Sequence, residues 1–189
     1  MKEKFLNVPN ILTLIRLLLI PVVVTLIIKG ETIAAFWLFG LACFTDVLDG
    51  YIARKYKLQT RLGTWLDPLA DKLMAVSVLV TFTLNGIFPF FVIAVVATKE
   101  LAMLIGGFLV IKNGHTAPAN VFGKAAALLL NLSIASGFFH EQLYPYYIWA
   151  TYITLGFVLL AFVQYAFKNG KLCFTKAEDM KEDKKASLG

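Results

Sequence analysis

The chain has 189 residues, of which 59% are hydrophobic and only 16% are charged, and its mean hydropathy is +0.74. Soluble domains carry about 45–50% apolar and about 25% charged residues, so this composition excludes an ordinary soluble domain and predicts an integral membrane protein. The net charge of +6 would suggest nucleic acid in a soluble protein. Here loops that face anionic lipid headgroups explain it, and we expect no nucleic-acid partner.

Six apolar stretches are long enough to span a bilayer, judged against the roughly 20 residues that a spanning helix needs. Turn-forming segments rich in glycine, proline and polar residues separate them. The pattern therefore predicts an all-α integral membrane bundle of six transmembrane helices, with a membrane domain over 1–168 and a charged tail over 169–189. In chain order the stretches are 10–28, 33–55, 64–84, 88–111, 122–140 and 145–167.

The distribution of lysine and arginine sets the expected orientation of these helices. Nearly all of the basic residues outside the spans fall on one side, whereas the opposite side carries only Lys29. Cytoplasmic loops carry the excess of basic residues, so the positive-inside rule places both termini and the segment 46–71 on the cytoplasmic side. We therefore expect a multi-pass protein of the cell membrane whose functional groups face the cytoplasm.

Four aspartates lie close together at the junction of the second and third predicted helices: Asp46, Asp49, Asp67 and Asp71. Spacings of three and four residues place each pair on one helix face. A carboxylate in the membrane costs roughly 2.5–3.5 kcal/mol, and four together would repel one another, so we expect one or two divalent cations among them. We expect no Cys or His near the aspartates, and a set of ligands made only of carboxylates favours Mg²⁺ or Mn²⁺ over zinc.

Small residues, Gly50, Ala53 and Gly63, alternate with the aspartates on the same faces. Two interpretations are open: close packing of the helices, or room for a ligand beside the metal ions. Paired metals at a membrane surface suit phosphoryl chemistry, because they stabilise both the attacking and the leaving oxygens. The residues alone thus predict metal-dependent phosphoryl or phosphatidyl transfer, or cation binding.

The whole stretch has the pattern D-x2-D-G-x2-A-R-x8-G-x3-D-x3-D, from Asp46 to Asp71. It resembles, without departure, the signature of the CDP-alcohol phosphatidyltransferase family. The segments "VPNILTLIRLLLIP" at 8–21 and "LDPLADKL" at 66–73 resemble the branch of that family that makes phosphatidylglycerophosphate.

This resemblance implies an enzyme that transfers the phosphatidyl group of CDP-diacylglycerol to an alcohol and releases CMP. It also implies a homodimer. Two divalent ions, Mg²⁺ or Mn²⁺, would be bound by Asp46, Asp49 and Asp67 with help from Asp71. Asp71 would also be the general base on the acceptor hydroxyl. The residues implied at the CDP moiety are Gly50, Ala53, Arg54 and Gly63.

The acceptor alcohol is less well specified, because the chain departs from the phosphatidylglycerophosphate branch in the later helices. Lys99-Glu100 stands in place of that branch's usual Arg-Glu. Its usual Gly-Lys-x-Lys-Thr run is replaced by "FGKAAALL" at 122–129, which keeps Lys124 but lacks the second lysine and the threonine. Adjacent residues on a helix point about 100° apart, so Lys99 and Glu100 need not pair. In the first predicted helix, Asn10, Thr13 and Arg16 form a polar stripe, and we expect it to face the same cytoplasmic cavity as these residues. The candidate acceptor-binding residues are Lys124, Lys99, Arg16 and Thr13.

We expect sn-glycerol 3-phosphate as the acceptor. The alternative is phosphatidylglycerol, which would make the same machinery a cardiolipin synthase. A cation-coupled transporter is a more remote alternative, because it favours carboxylates near the midplane and a repeated architecture. Here the aspartates lie towards the cytoplasmic ends of two consecutive helices, and the sequence shows no repeat.

Overall fold

The computed structural model describes residues 8–55, 61–114 and 121–170. Within these residues the chain forms six helices and no strand, which confirms the all-α prediction. No helix end differs by more than three residues from the apolar stretch predicted for it. The helices are α1 Val8–Ile28, α2 Thr32–Lys55, α3 Arg61–Leu84, α4 Phe90–Lys112, α5 Val121–Gly137 and α6 Tyr146–Asn169.

Among the residues that the structure describes, three helices are long and apolar enough to cross a membrane, namely α1 over Ile11–Ile28, α4 and α6. Helices α2 and α5 contain shorter apolar segments, Thr32–Leu48 and Phe122–Gly137. The apolar helices make the chain a membrane protein.

Glycines in the left-handed region end several of the helices. The N–H of Glu31 donates to the carbonyl of Leu26 at 2.9 Å, and the N–H of Ile87 donates to the carbonyl of Phe82 at 2.9 Å. These bonds close the last turns of α1 and α3, and the residue before each donor must adopt a positive φ, which glycine does without strain. The glycines concerned are Gly30, Gly86 and, after α4, Gly114.

The chain divides into two compact units. The first unit contains α1, α2, α3, the first turn of α4, and the end of α5 with the turn that leads into α6. Within it, α1 packs against both α2 and α3. The second unit contains the rest of α4, the first half of α5 and most of α6. A small core of Ala126, Val158 and Ala161 holds α5 and α6 together there.

Aromatic side chains fill the core of the first unit near the start of α2 and the end of α3. The ring centroids of Phe82 and Phe138 are 4.8 Å apart, edge to face, a favourable geometry for aromatic pairs. A Cβ at Gly137 would come within 2.9 Å of the Phe82 ring and 3.0 Å of the Phe88 ring, so glycine allows this close approach. We call this set the aromatic cluster: Phe36, Phe39, Phe82, Phe88, Phe138 and Tyr147.

Candidate active site

The first unit buries an arginine against a carboxylate. Nη1 of Arg16, on α1, donates to Oδ1 of Asp46, on α2, at 2.7 Å. The Arg16 side chain is only 1% exposed, whereas that of Asp46 is 31% exposed. Charged side chains are rarely buried unless they are paired, because a low-dielectric interior does not solvate them. The ion pair therefore fixes where α1 and α2 meet.

Helix α3 contributes a second carboxylate, Asp71, which is half-buried. The thiol of Cys43, one turn before Asp46, lies close enough to Asp46, Asp71 and Arg16 to interact electrostatically with each of them. Three helices thus bring one buried cation and two carboxylates to the same region of the first unit. We call Arg16, Asp46 and Asp71 the charged end.

The sequence prediction missed Cys43, because it expected no Cys or His near the aspartates. The available signal was its position three residues before Asp46, on the same face of α2. A thiol at this place does not remove the oxygen character of the donors, since both carboxylates come from aspartates. It does show that a sulfur atom lies near the two carboxylates.

Several predicted residues lie outside the part of the chain whose side chains are described. Helices α2 and α3 include their backbone, but the roles predicted for them in metal and CDP binding stay predictions. Gly50 is described, and a Cβ built there would meet no described atom within 4 Å. No described neighbour therefore requires a glycine at this position. The residues outside the described part are Asp49, Ala53, Arg54, Gly63 and Asp67.

Asp46 and Asp71 fit a divalent ion by their donor chemistry, because carboxylate oxygens are the ligands that Mg²⁺ and Mn²⁺ prefer. Among the side chains that the structure describes, no group of three or more His, Cys, Asp or Glu lies close enough to hold a metal ion. The two described aspartates would need further ligands, and Asp49 and Asp67 were predicted for that role.

The candidate acceptor residues fall in both units. Thr13 is fully buried on α1, one turn before Arg16 in the first unit. Lys99 and Lys124 belong to the second unit, where Lys124 is exposed on α5. Nζ of Lys99 donates to Oε1 of Glu100 at 2.5 Å, and both side chains are largely buried. The sequence left open whether these neighbours pair; in the structure they do, and little solvent reaches either charge.

The apolar helices define a membrane protein, and its first unit contains a buried arginine close to two carboxylates. The family model of CDP-alcohol phosphatidyltransferase matches residues 6–163. The chain therefore belongs to the CDP-alcohol phosphatidyltransferase family, and it is a membrane-bound transferase of phospholipid biosynthesis.

Individual relatives agree with this assignment. The chain is 33% identical over 137 residues to a CDP-diacylglycerol–glycerol-3-phosphate 3-phosphatidyltransferase of Aquifex aeolicus, covering 69% of this chain and 75% of that protein. A Bacillus subtilis protein of the same description is 28% identical over 183 residues, covering 86% and 95%. A probable cardiolipin synthase (CMP-forming) of Drosophila melanogaster is 32% identical over 110 residues, covering 58% and 34%.

Proposed function

We propose that the protein transfers the phosphatidyl group of CDP-diacylglycerol to sn-glycerol 3-phosphate, giving phosphatidylglycerophosphate and CMP. The observation that carries this proposal is the complete eight-position pattern from Asp46 to Asp71 in a chain of this family. Relatives described as acting on glycerol 3-phosphate match most of their own length. Membership of this family also makes a cation-coupled transporter an unsuitable alternative.

The carboxylates of the charged end support specific roles in this reaction. The hydroxyl oxygen of the acceptor attacks the phosphorus of the phosphatidyl group, the bond from that phosphorus to CMP breaks, and CMP leaves. Asp71 accepts the hydroxyl proton, which a carboxylate within hydrogen-bond reach can do. Two divalent ions, Mg²⁺ or Mn²⁺, held by Asp46, Asp49, Asp67 and Asp71, would supply stabilisation of the charge on the phosphate oxygens.

The CDP moiety is assigned to the small residues and the arginine between the carboxylates. At Gly50 the described part of the chain leaves space beside the helix, as a nucleotide would need. Arg54 would donate to the diphosphate, because a guanidinium forms bidentate bonds with phosphate oxygens. The proposed CDP-binding residues are Gly50, Ala53, Arg54 and Gly63.

Six transmembrane helices, with both termini and the charged end on the cytoplasmic side of the cell membrane, complete the proposal. The six helices of the described residues and the basic side of the sequence support it. Water-soluble sn-glycerol 3-phosphate would then reach the site from the cytoplasm, and CDP-diacylglycerol from the bilayer. A homodimer is proposed from the family resemblance alone.

A second acceptor, phosphatidylglycerol, is favoured by two observations. The second lysine of the Gly-Lys-x-Lys-Thr run is replaced by alanine, so only Lys124 remains there. Lys99 is engaged by Glu100, which reduces the net positive charge available for an acceptor phosphate. The same chemistry with this lipid would yield cardiolipin, and the cardiolipin synthases among the relatives are consistent with it.

The test is CMP release from CDP-diacylglycerol by the purified chain in detergent with Mg²⁺ or Mn²⁺. Parallel reactions contain sn-glycerol 3-phosphate, phosphatidylglycerol or no acceptor. We expect release with sn-glycerol 3-phosphate. Release with phosphatidylglycerol only would overturn the acceptor, and a folded preparation that releases no CMP with either would overturn the activity itself.

A further inference from the structure

The surroundings of Arg16 do not suit a residue that binds the acceptor. Its side chain is among the largest fully buried side chains of the described residues. Thr13, one turn earlier on α1, is fully buried as well. A ligand that diffuses in from the cytoplasm needs an accessible partner, and the guanidinium is already engaged with the Asp46 carboxylate. Arg16 is therefore better placed to act on Asp46 than on the acceptor.

We propose that Arg16 is a positioning residue that holds the Asp46 carboxylate for a divalent ion and balances its charge. This inference rests on the proposed function only in taking Asp46 as a metal ligand. A charge-assisted hydrogen bond is short and directional, so it fixes one carboxylate oxygen relative to α1. A carboxylate has several lone pairs, and a metal ion can bind it while an arginine does.

The guanidinium has a second, opposing effect on an ion at Asp46. Two cations that share one carboxylate repel each other, and this repulsion is strong where little water screens it. Arg16 is buried. It interacts electrostatically with Cys43, which in turn interacts with both Asp46 and Asp71. Arg16 therefore places Asp46 accurately and at the same time lowers the affinity of the carboxylates for cations.

The experiment measures Mn²⁺ binding to the purified full chain by electron paramagnetic resonance, without substrate. Arg16→Met removes the charge and the hydrogen bond, Arg16→Gln removes the charge but keeps an amide donor on a shorter side chain, and Arg16→Lys keeps the charge. Lys29→Met is the matched control, because it removes an exposed charge from the turn after α1. Size-exclusion chromatography and thermal unfolding establish which variants are folded.

We expect Arg16→Met and Arg16→Gln to bind Mn²⁺ more tightly than the wild type, by about threefold or more, because one positive charge is lost beside the carboxylates. Arg16→Lys and Lys29→Met should stay within about twofold of the wild type. An unchanged or weaker affinity in whichever neutral variant folds would overturn the proposal. This readout does not depend on turnover, so it stands even if the wild type releases no CMP.

Turnover supplies a second readout that a purely structural role would not produce. In folded Arg16→Gln we expect kcat to fall by about tenfold or more, because the carboxylate loses its charge-assisted anchor, while KM for sn-glycerol 3-phosphate stays within about twofold. A tenfold rise in that KM with kcat unchanged would assign Arg16 to the acceptor and overturn the positioning role. Loss of CMP release by the wild type as well would instead contradict the proposed function.

Discussion

The charged end and the aromatic cluster both include residues of α2 and α3 in the first unit, but they are stabilised in different ways. On α2, Phe36 lies ten residues before Asp46. On α3, Phe82 lies eleven residues after Asp71. At 1.5 Å per residue, about 15 Å of helix separates the two regions. The aromatic cluster contains rings that contact one another edge to face. The charged end contains a directional ion pair between Arg16 and Asp46.

This difference separates stability from chemistry. Many weak contacts between rings are insensitive to direction, and removing one ring leaves a cavity that weakens the fold. A carboxylate in a membrane bundle contributes little to packing and costs free energy to bury, so its presence needs a chemical reason. Changes to the half-buried Asp71 that keep its size should therefore lower activity with little loss of stability, and changes in the aromatic cluster should do the reverse.

The largest effect is expected from Asp71→Asn in the charged end. An amide cannot accept the hydroxyl proton, so CMP release should fall by about a thousandfold, within the range of general-base contributions. Because the side chain keeps its size, the thermal unfolding temperature in detergent should stay close to that of the wild type. A variant with more than a tenth of wild-type turnover would exclude Asp71 as the base.

In the aromatic cluster, Phe82→Ala should reduce stability most. Phe82 is fully buried and contacts Phe88 and Phe138. Truncation of a buried phenylalanine costs about 3–5 kcal/mol, and thermal unfolding in detergent would report the loss. The activity of each molecule that remains folded should not change, measured at a temperature well below the transition. Val80→Ala is the control, because Val80 lies on the exposed side of the same helix.

Gly137→Ala tests the same cluster by adding an atom to it. The new Cβ would lie 2.9 Å from one carbon of the Phe82 ring and 3.0 Å from one carbon of the Phe88 ring. Both rings are buried, so they can yield only by disturbing their neighbours, and overpacking of this kind costs about 1–3 kcal/mol. Gly40→Ala is the matched control, since a Cβ there would meet no described atom within 4 Å. Equal unfolding temperatures for the two variants would contradict the tight approach at Gly137.

The smallest effect is expected from Lys124→Ala. This lysine is exposed near the start of α5 and belongs to the second unit. If it attracts the acceptor phosphate, KM for sn-glycerol 3-phosphate should rise by about twofold to fivefold, since an exposed ionic contact contributes roughly 1 kcal/mol or less. Lys112→Ala removes an exposed lysine from the end of α4 and should leave KM unchanged. A shift of equal size in both variants would indicate only a general effect of charge.

Local features of the sequence determined the helices and the family. Runs of apolar residues and glycines at helix ends depend only on neighbours in the chain, so all six helices were predicted to within a few residues. The spacing of Asp46, Asp49, Asp67 and Asp71 also lies within one segment and identified the family correctly. None of this required knowledge of which helices contact each other.

Tertiary structure decided which residues meet. Arg16 and Asp46 are thirty residues apart in sequence, and only the packing of α1 against α2 brings them to 2.7 Å. The sequence placed Arg16 with the acceptor because periodicity shows which residues share a face but not what that face contacts. The pairing of Lys99 with Glu100 follows in the same way from burial. A charge withdrawn from water must find a partner, and the fold determines which partner is within reach.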